Sequence, residues 1–167
     1  MSYLDKLTEA MTWLGKQSET IFLGQSISFP GNTMYKTLCD VVAEKKIELP
    51  VMEDCQLGMS IGLALAGKIP ISIFPRLDFM MCCMNQLVNH LDKMDTRVII
   101  RTGVGATKPL YPGRQHCGDY PIEAMLQCVD VIRLSYEYEI IPSYQRAFKA
   151  NRSTILIEYG DKYSGEK

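Results

Sequence analysis

The chain is poor in metal-binding and redox signals: it has two histidines, one tryptophan and six cysteines, none of which forms a Cys-x-x-Cys pair. His90 stands alone and His116 has only Cys117 beside it, so no zinc-ligand spacing exists. Cys39, Cys82, Cys83 and Cys128 fall in apolar helical stretches, where a free thiol packs as a small hydrophobe, so buried free thiols are expected rather than bridges. Charge of one sign is also missing. Eighteen Lys and Arg against nineteen Asp and Glu give a net charge of −1, with no global field to recruit nucleic acid or an anionic membrane. Long hydrophobic runs are absent. The stretch from Ile61 to Ile73 is broken by Gly67, Lys68, Pro70 and Ser72, short of the roughly 20 apolar residues that span a membrane. The opening MSYLDKLTEAM lacks the basic start and apolar run of a secretory signal, so a cytoplasmic location is expected.

What is present suits one globular domain: 167 residues, 47% hydrophobic and 22% charged, without repeat, low-complexity segment or linker. Residues 1–160 read as the domain and 161–167, DKYSGEK, as a C-terminal tail. Leu4, Leu7, Met11 and Leu14 recur at steps of three and four, with Ser2 and Asp5 placed as a capping box, so Ser2 to Lys16 predicts an amphipathic helix. Short apolar runs predict strands over Thr20–Gly24, Glu48–Met52, Ile69–Phe74, Arg97–Arg101, Val131–Ser135 and Thr154–Tyr159. Helices are predicted between them over Thr33–Lys46, Asp54–Ala66, Asp78–Met94, Tyr120–Cys128 and Pro142–Ala150, the last with Pro142 in its first turn. Strands that are apolar along their whole length and alternate with helices imply an open, mostly parallel six-stranded α/β sheet covered on both faces. Ligands of such sheets bind beyond the carboxyl ends of the strands, which singles out the loops after Gly24, Met52, Phe74 and Arg101.

Two glycine motifs mislead. Gly62-Leu-Ala-Leu-Ala-Gly67-Lys68 matches most of a phosphate-binding loop, but Ile69 replaces the required Ser or Thr and a helix precedes where a strand should. Gly58, Gly62 and Ala66 read instead as a close-packing helix face, with Gly67 as the stop. Gly103-Val-Gly105 begins a dinucleotide fingerprint, but Lys108 stands where the third Gly belongs. Glu53 and Asp54 fall where a strand gives way to a helix. Either they complement a helix N-terminus, or one carboxylate projects into a ligand crevice and is suited to proton transfer.

The stretch PVMEDCQLGMSIGLALAGKIPISIFPRLDFMMCCMNQLVNHLDKM, with VIIRTGVGATKPLYPGRQHCGDY after it, closely resembles the pyrimidine-binding domain of thiamine diphosphate enzymes. The likeness is to the beta subunit of the decarboxylating component of 2-oxo acid dehydrogenases and to the matching transketolase domain. Pro50, Glu53, Gly58, Gly62, Gly67, Asp78, Phe79, Asn85 to Asn89, Gln115 and His116 fall on the family pattern, and ILIEY resembles its closing strand. The resemblance implies the thiamine diphosphate-binding fold and a role for Glu53 as the acid that hydrogen-bonds and activates the cofactor's aminopyrimidine. It further implies that Phe79 stacks on that ring, that His116 contacts a 2-oxo acid or its intermediate as proton donor or carboxylate partner, and that Gln25 lies at the cofactor where many relatives carry Glu.

Cys117, Gly118 and Asp119 depart from the family's Ser-Gln after Gln-His. The Gly-Asp-Gly and later Asn that hold the diphosphate through magnesium are also missing: Gly118-Asp119-Tyr120 and Gly160-Asp161-Lys162 lack the second Gly. The resemblance therefore implies that Mg and the diphosphate are held by an alpha-type partner subunit, in an alpha2beta2 assembly acting on a 2-oxo acid or ketose by decarboxylation or two-carbon transfer. A chain of this length resembles the small subunit of two-subunit sulfopyruvate and phosphonopyruvate decarboxylases. The alternatives are a non-catalytic interaction subunit of the same fold and a nucleotide-binding protein built on the Gly103 region.

Overall fold

The computed structural model describes residues 1–108 and 111–164. Six strands form one sheet in the order β2-β1-β3-β4-β6-β5. They are β1 (Thr20–Gly24), β2 (Lys46–Glu48), β3 (Ile69–Phe74), β4 (Ile99–Val104), β5 (Asp130–Arg133) and β6 (Thr154–Tyr159), and every pairing is parallel. The α/β class and the strand number are as the sequence implies. Helices α1 (Tyr3–Gly15) and α4 (Glu137–Lys149) cover one face, where Phe22, Ile71, Ile73, Ile99 and Leu156 point. Helix α2 (Glu53–Leu65) and the segment from Leu77 to Lys93, opening with the short α3 (Leu77–Met80), cover the other, over Phe74, Ile100, Ile155 and Ile157. Alternate residues of each strand thus feed two separate apolar layers.

The capping box forms: Asp5 N–H donates to Ser2 Oγ at 3.1 Å and Ser2 N–H to Asp5 Oδ2 at 2.8 Å. Gly67, at φ +86°, ends α2 as expected. Several expected elements differ. The second strand ends at Glu48 because Leu49 N–H, bonded to Gly24 O, is the last rung and Pro50 has no N–H to continue. The fourth is shifted onward to 99–104, where β6 supplies partners. Helix α4 begins at Glu137, not Pro142, because the Glu139 carboxylate accepts the Tyr136 N–H at 2.9 Å and starts the helix there, leaving Pro142 inside it. The stretches 33–46, 78–94 and 120–128 break into short 3-10, α and π turns. Of the expected close-packing face, Gly58 lies beside the Gln86 side chain, 3.8 Å from a Cβ built there, whereas Gly62 and Ala66 are exposed and nothing stands within 4 Å of a Cβ built at Gly62. All six thiols are free, but only Cys83 is buried, and burial pushes its pKa up to about 12.

The expected tail at 161–167 needs correction for residues 161–164. Gly160–Lys162 form a 3-10 turn, the Asp161 carboxylate holds the Thr107 and Lys108 N–H groups at 2.6 and 3.2 Å, and Tyr163 packs on the core. Residues 165–167 lie outside those described.

Candidate active site

The chain leaves β1 toward one edge of the sheet and β3 toward the other, although the two strands are neighbours. Their loops diverge, which opens a crevice at the point where open α/β sheets bind ligands. It measures about 410 Å³ and is walled by residues that follow β1, β3, β4 and β6. The segment after β2, expected to share it, does not line it.

The wall after β1 is held by Glu48. Its carboxylate accepts three successive backbone N–H groups, from Ser26, Ile27 and Ser28, at 2.5, 2.9 and 2.9 Å. Ser26 sits at φ +54°, a conformation that costs a non-glycine residue about 1–2 kcal/mol and that these charge-assisted bonds offset. Asn32 Nδ2 donates to the carbonyls of Gln25 and Ser26, both at 3.3 Å, and so fixes the half-buried Gln25 in the crevice.

The opposite wall follows β3. Asp78 accepts the Gly118 N–H at 3.0 Å and the Tyr120 hydroxyl at 2.9 Å, and the second bond raises the Tyr120 phenol pKa. The Phe79 ring meets the His116 ring edge-on, with centroids 5.5 Å apart. Gly105 allows the approach: a Cβ there would stand 1.9 Å from the His116 carbonyl oxygen and 3.1 Å from Arg76 Nη1. The Asp-Phe pair therefore positions the turn that carries His116. The Nδ1 atom of His116 is buried with no hydrogen-bond partner among the described residues, a cost of about 1–3 kcal/mol that a ligand could relieve.

Beneath the crevice lies a buried polar network. Arg101 pairs with Glu158 through Nε at 2.6 Å and Nη2 at 3.0 Å, and its Nη1 donates to Thr37 Oγ1 at 2.7 Å. The Tyr144 and Tyr163 hydroxyls donate to the same carboxylate at 2.8 and 2.5 Å. Burial opposes the guanidinium charge, but the Glu158 carboxylate outweighs it and holds Arg101 charged, above its ordinary range. Thr37 Oγ1 passes the constraint to the Met34 carbonyl at 2.6 Å, and Met34 and Tyr163 both line the crevice.

Of the residues expected at a site, the structure brings Gln25, Phe79 and His116 together in one crevice. Glu53 does not line it; half-buried, it is the first residue of α2, and its carboxyl makes no hydrogen bond among the described residues. The half-exposed Phe79 ring offers a surface on which the aminopyrimidine of thiamine diphosphate could stack, whereas Glu53 stands outside the crevice that holds it. Among the described residues no group of three or more His, Cys, Asp or Glu could hold a metal ion. Sequence reasoning passed over Arg76, Asn32 and Tyr163. Arg76 carried a signal: a lone cation just past an apolar strand, in a loop already singled out.

The six-stranded parallel sheet with helices on both faces is an α/β fold that matches solved transketolases. A split-gene transketolase in an inactive beta4 tetramer superposes with a TM-score of 0.76 over 95% of this chain and 51% of that one, at 16% identity. The transketolase from Leishmania mexicana gives 0.75 over 92% and 24%, at 17% identity. In sequence the chain is similar to the 2-oxoisovalerate dehydrogenase subunit beta of Bacillus subtilis, 29% identical over 101 residues, covering 58% of this chain and 31% of the relative. It is also similar to the pyruvate dehydrogenase E1 component subunit beta of Cyanidium caldarium, 28% identical over 85 residues, covering 48% and 26%. The chain thus spans less than a third of the length of these relatives. No family model matches it. Among the described residues no helix is long and apolar enough to cross a membrane.

Proposed function

We propose that this chain is the pyrimidine-domain, beta-type part of a thiamine diphosphate enzyme acting on a 2-oxo acid or ketose, completed by an alpha-type partner that holds the diphosphate and magnesium. The observation that carries the reading is Glu53: a half-buried carboxyl with no hydrogen-bond partner among the described residues, on the first residue of α2. Bound thiamine diphosphate supplies the carbanion chemistry that protein side chains lack. Glu53 holds a proton at the ring nitrogen of the aminopyrimidine, which an amide could bond but not protonate. Phe79 offers its face to the ring, and His116 stands over the crevice to bind or protonate the substrate. The partner surface has support in α2, where Met52, Cys55, Met59, Gly62 and Ala66 recur at steps of three and four and are all exposed.

The test is co-expression with a chain bearing the Gly-Asp-Gly and Asn pattern. Such a chain should co-purify and confer magnesium-dependent thiamine diphosphate binding. In the assembled pair, Glu53→Gln should slow hydrogen–deuterium exchange at the cofactor's C2 by roughly 10²–10⁴-fold while the far-UV spectrum stays unchanged. Undiminished exchange in the variant would falsify the role of Glu53, and exchange absent from the native pair as well would favour a non-catalytic interaction subunit.

A further inference from the structure

Among the described residues the crevice walls carry Arg76 and His116 and no Asp or Glu. The Arg76 guanidinium makes no hydrogen bond or ion pair among the described residues, whereas those of Arg101 and Arg133 are each held by carboxylates. It is half-buried, and taking a guanidinium part-way out of water without a counter-charge is unfavourable. Its Nη1 lies against Gly105, as does the His116 carbonyl oxygen, so the cation and the His116 backbone meet at one short stretch of wall, and both residues line the crevice. The rest of the lining that bears on a ligand is neutral: Gln25, Asn32, Thr33 and the face of Phe79. A volume of about 410 Å³ suits a small molecule.

We infer that Arg76 and His116 form a receptor for an anionic group, a carboxylate or a phosphate, on the substrate, and that Arg76 sets a preference for acids over neutral carbonyl compounds. The inference rests on the proposed function for calling the ligand a substrate; the binding of the anion does not. The planar guanidinium offers two parallel N–H donors to two oxygens, and a neutral ketone cannot answer that fork.

Nitrogen–proton NMR of the full chain tests this, with pyruvate, inorganic phosphate and the neutral hydroxyacetone as probes. Pyruvate or phosphate should move the Arg76 Nε–H and His116 ring signals, and hydroxyacetone at equal concentration should not. Arg76→Gln should weaken anion binding by about tenfold or more, Arg76→Lys should lie between, and Arg146→Gln, on the far α4, should leave it unchanged. Arg76→Lys keeps the question open to measurement should Arg76→Gln fail to fold. Stronger binding of pyruvate than phosphate assigns the site to a carboxylate, and the reverse order to a phosphate ester. Equal response to hydroxyacetone, no response to either anion, or unchanged affinity in Arg76→Gln and Arg76→Lys overturns the inference. None of these outcomes touches C2 exchange in the pair, which decides the proposed function separately.

Discussion

Arg101 is the bulkiest fully buried side chain of the domain, and it lies under the crevice rather than in it. Its worth is specificity of shape: one guanidinium joins β4 to β6 through Glu158 and to the 33–38 turn through Thr37. Replacing a buried ion pair with apolar residues is often neutral, but removing one partner strands the other charge. Arg101→Met should therefore cost about 3–5 kcal/mol in urea unfolding, and Arg101→Met with Glu158→Gln should recover part of that loss. A loss below about 1 kcal/mol, as for an exposed pair, would show that water reaches the site. Both charges are visible in the sequence as lone ionised residues in otherwise apolar strands. Their pairing is not, because they stand 57 residues apart and two steps out of register.

At the scale of elements, three carboxylates do similar work. Glu48 gathers the N–H groups of residues 26–28, Asp92 those of 127–129, and Asp161 those of 107 and 108. Burial works against the Asp161 charge, but the bonds from Thr107 and Lys108 outweigh it and lower its pKa below the ordinary 3.8. A carboxyl lowered in the fold stabilises it above the unfolded value, and that contribution is lost as pH falls through the folded one. Amide exchange at Thr107 and Lys108 should thus accelerate as pH drops below about 3.8, relative to the β4 amides, and Asp161→Asn should show the faster exchange already at neutral pH. Parallel behaviour of the two sets at every pH would remove Asp161 from this role. The same anchors explain which elements could be read in advance. The β1, β3 and β6 ranges and α1 follow from local periodicity and a local capping box. The 78–94 and 120–128 stretches have helical patterns, but Asp92 must turn to reach N–H groups 35 to 37 residues onward, which breaks both. The 33–46 stretch opens as a 3-10 helix over Thr33–Leu38, from within which Thr37 answers Arg101, and breaks after it. The motif singled out Phe79 and His116, which the fold brings into one crevice, whereas Arg76 stands out only once its guanidinium is seen to have no acid beside it among the described residues.

At the scale of the molecule, one face of the sheet is closed by phenols as well as by hydrocarbon. Tyr3 on α1 donates to the Leu134 carbonyl at 2.7 Å, Tyr144 on α4 and Tyr163 after β6 donate to Glu158, and together they fasten two helices and the C-terminal turn to the strands. Burial first, and then the Glu158 charge, raises the pKa of all three phenols. A group held protonated in this way stabilises the fold fully below its unfolded pKa, near 10 for tyrosine, and the contribution is lost as pH rises through the folded values. The urea midpoint should therefore be flat through neutrality and fall above about pH 10, with part of the tyrosinate absorbance appearing only as the chain unfolds. Tyr163→Phe removes one of the coupled phenols and should make the fall less steep, at the cost of one bond to Glu158 at lower pH. Tyrosinate absorbance that reaches its full amplitude in the folded protein near pH 10 would mean that these rings are reached by water, and that hydrocarbon packing alone closes that face.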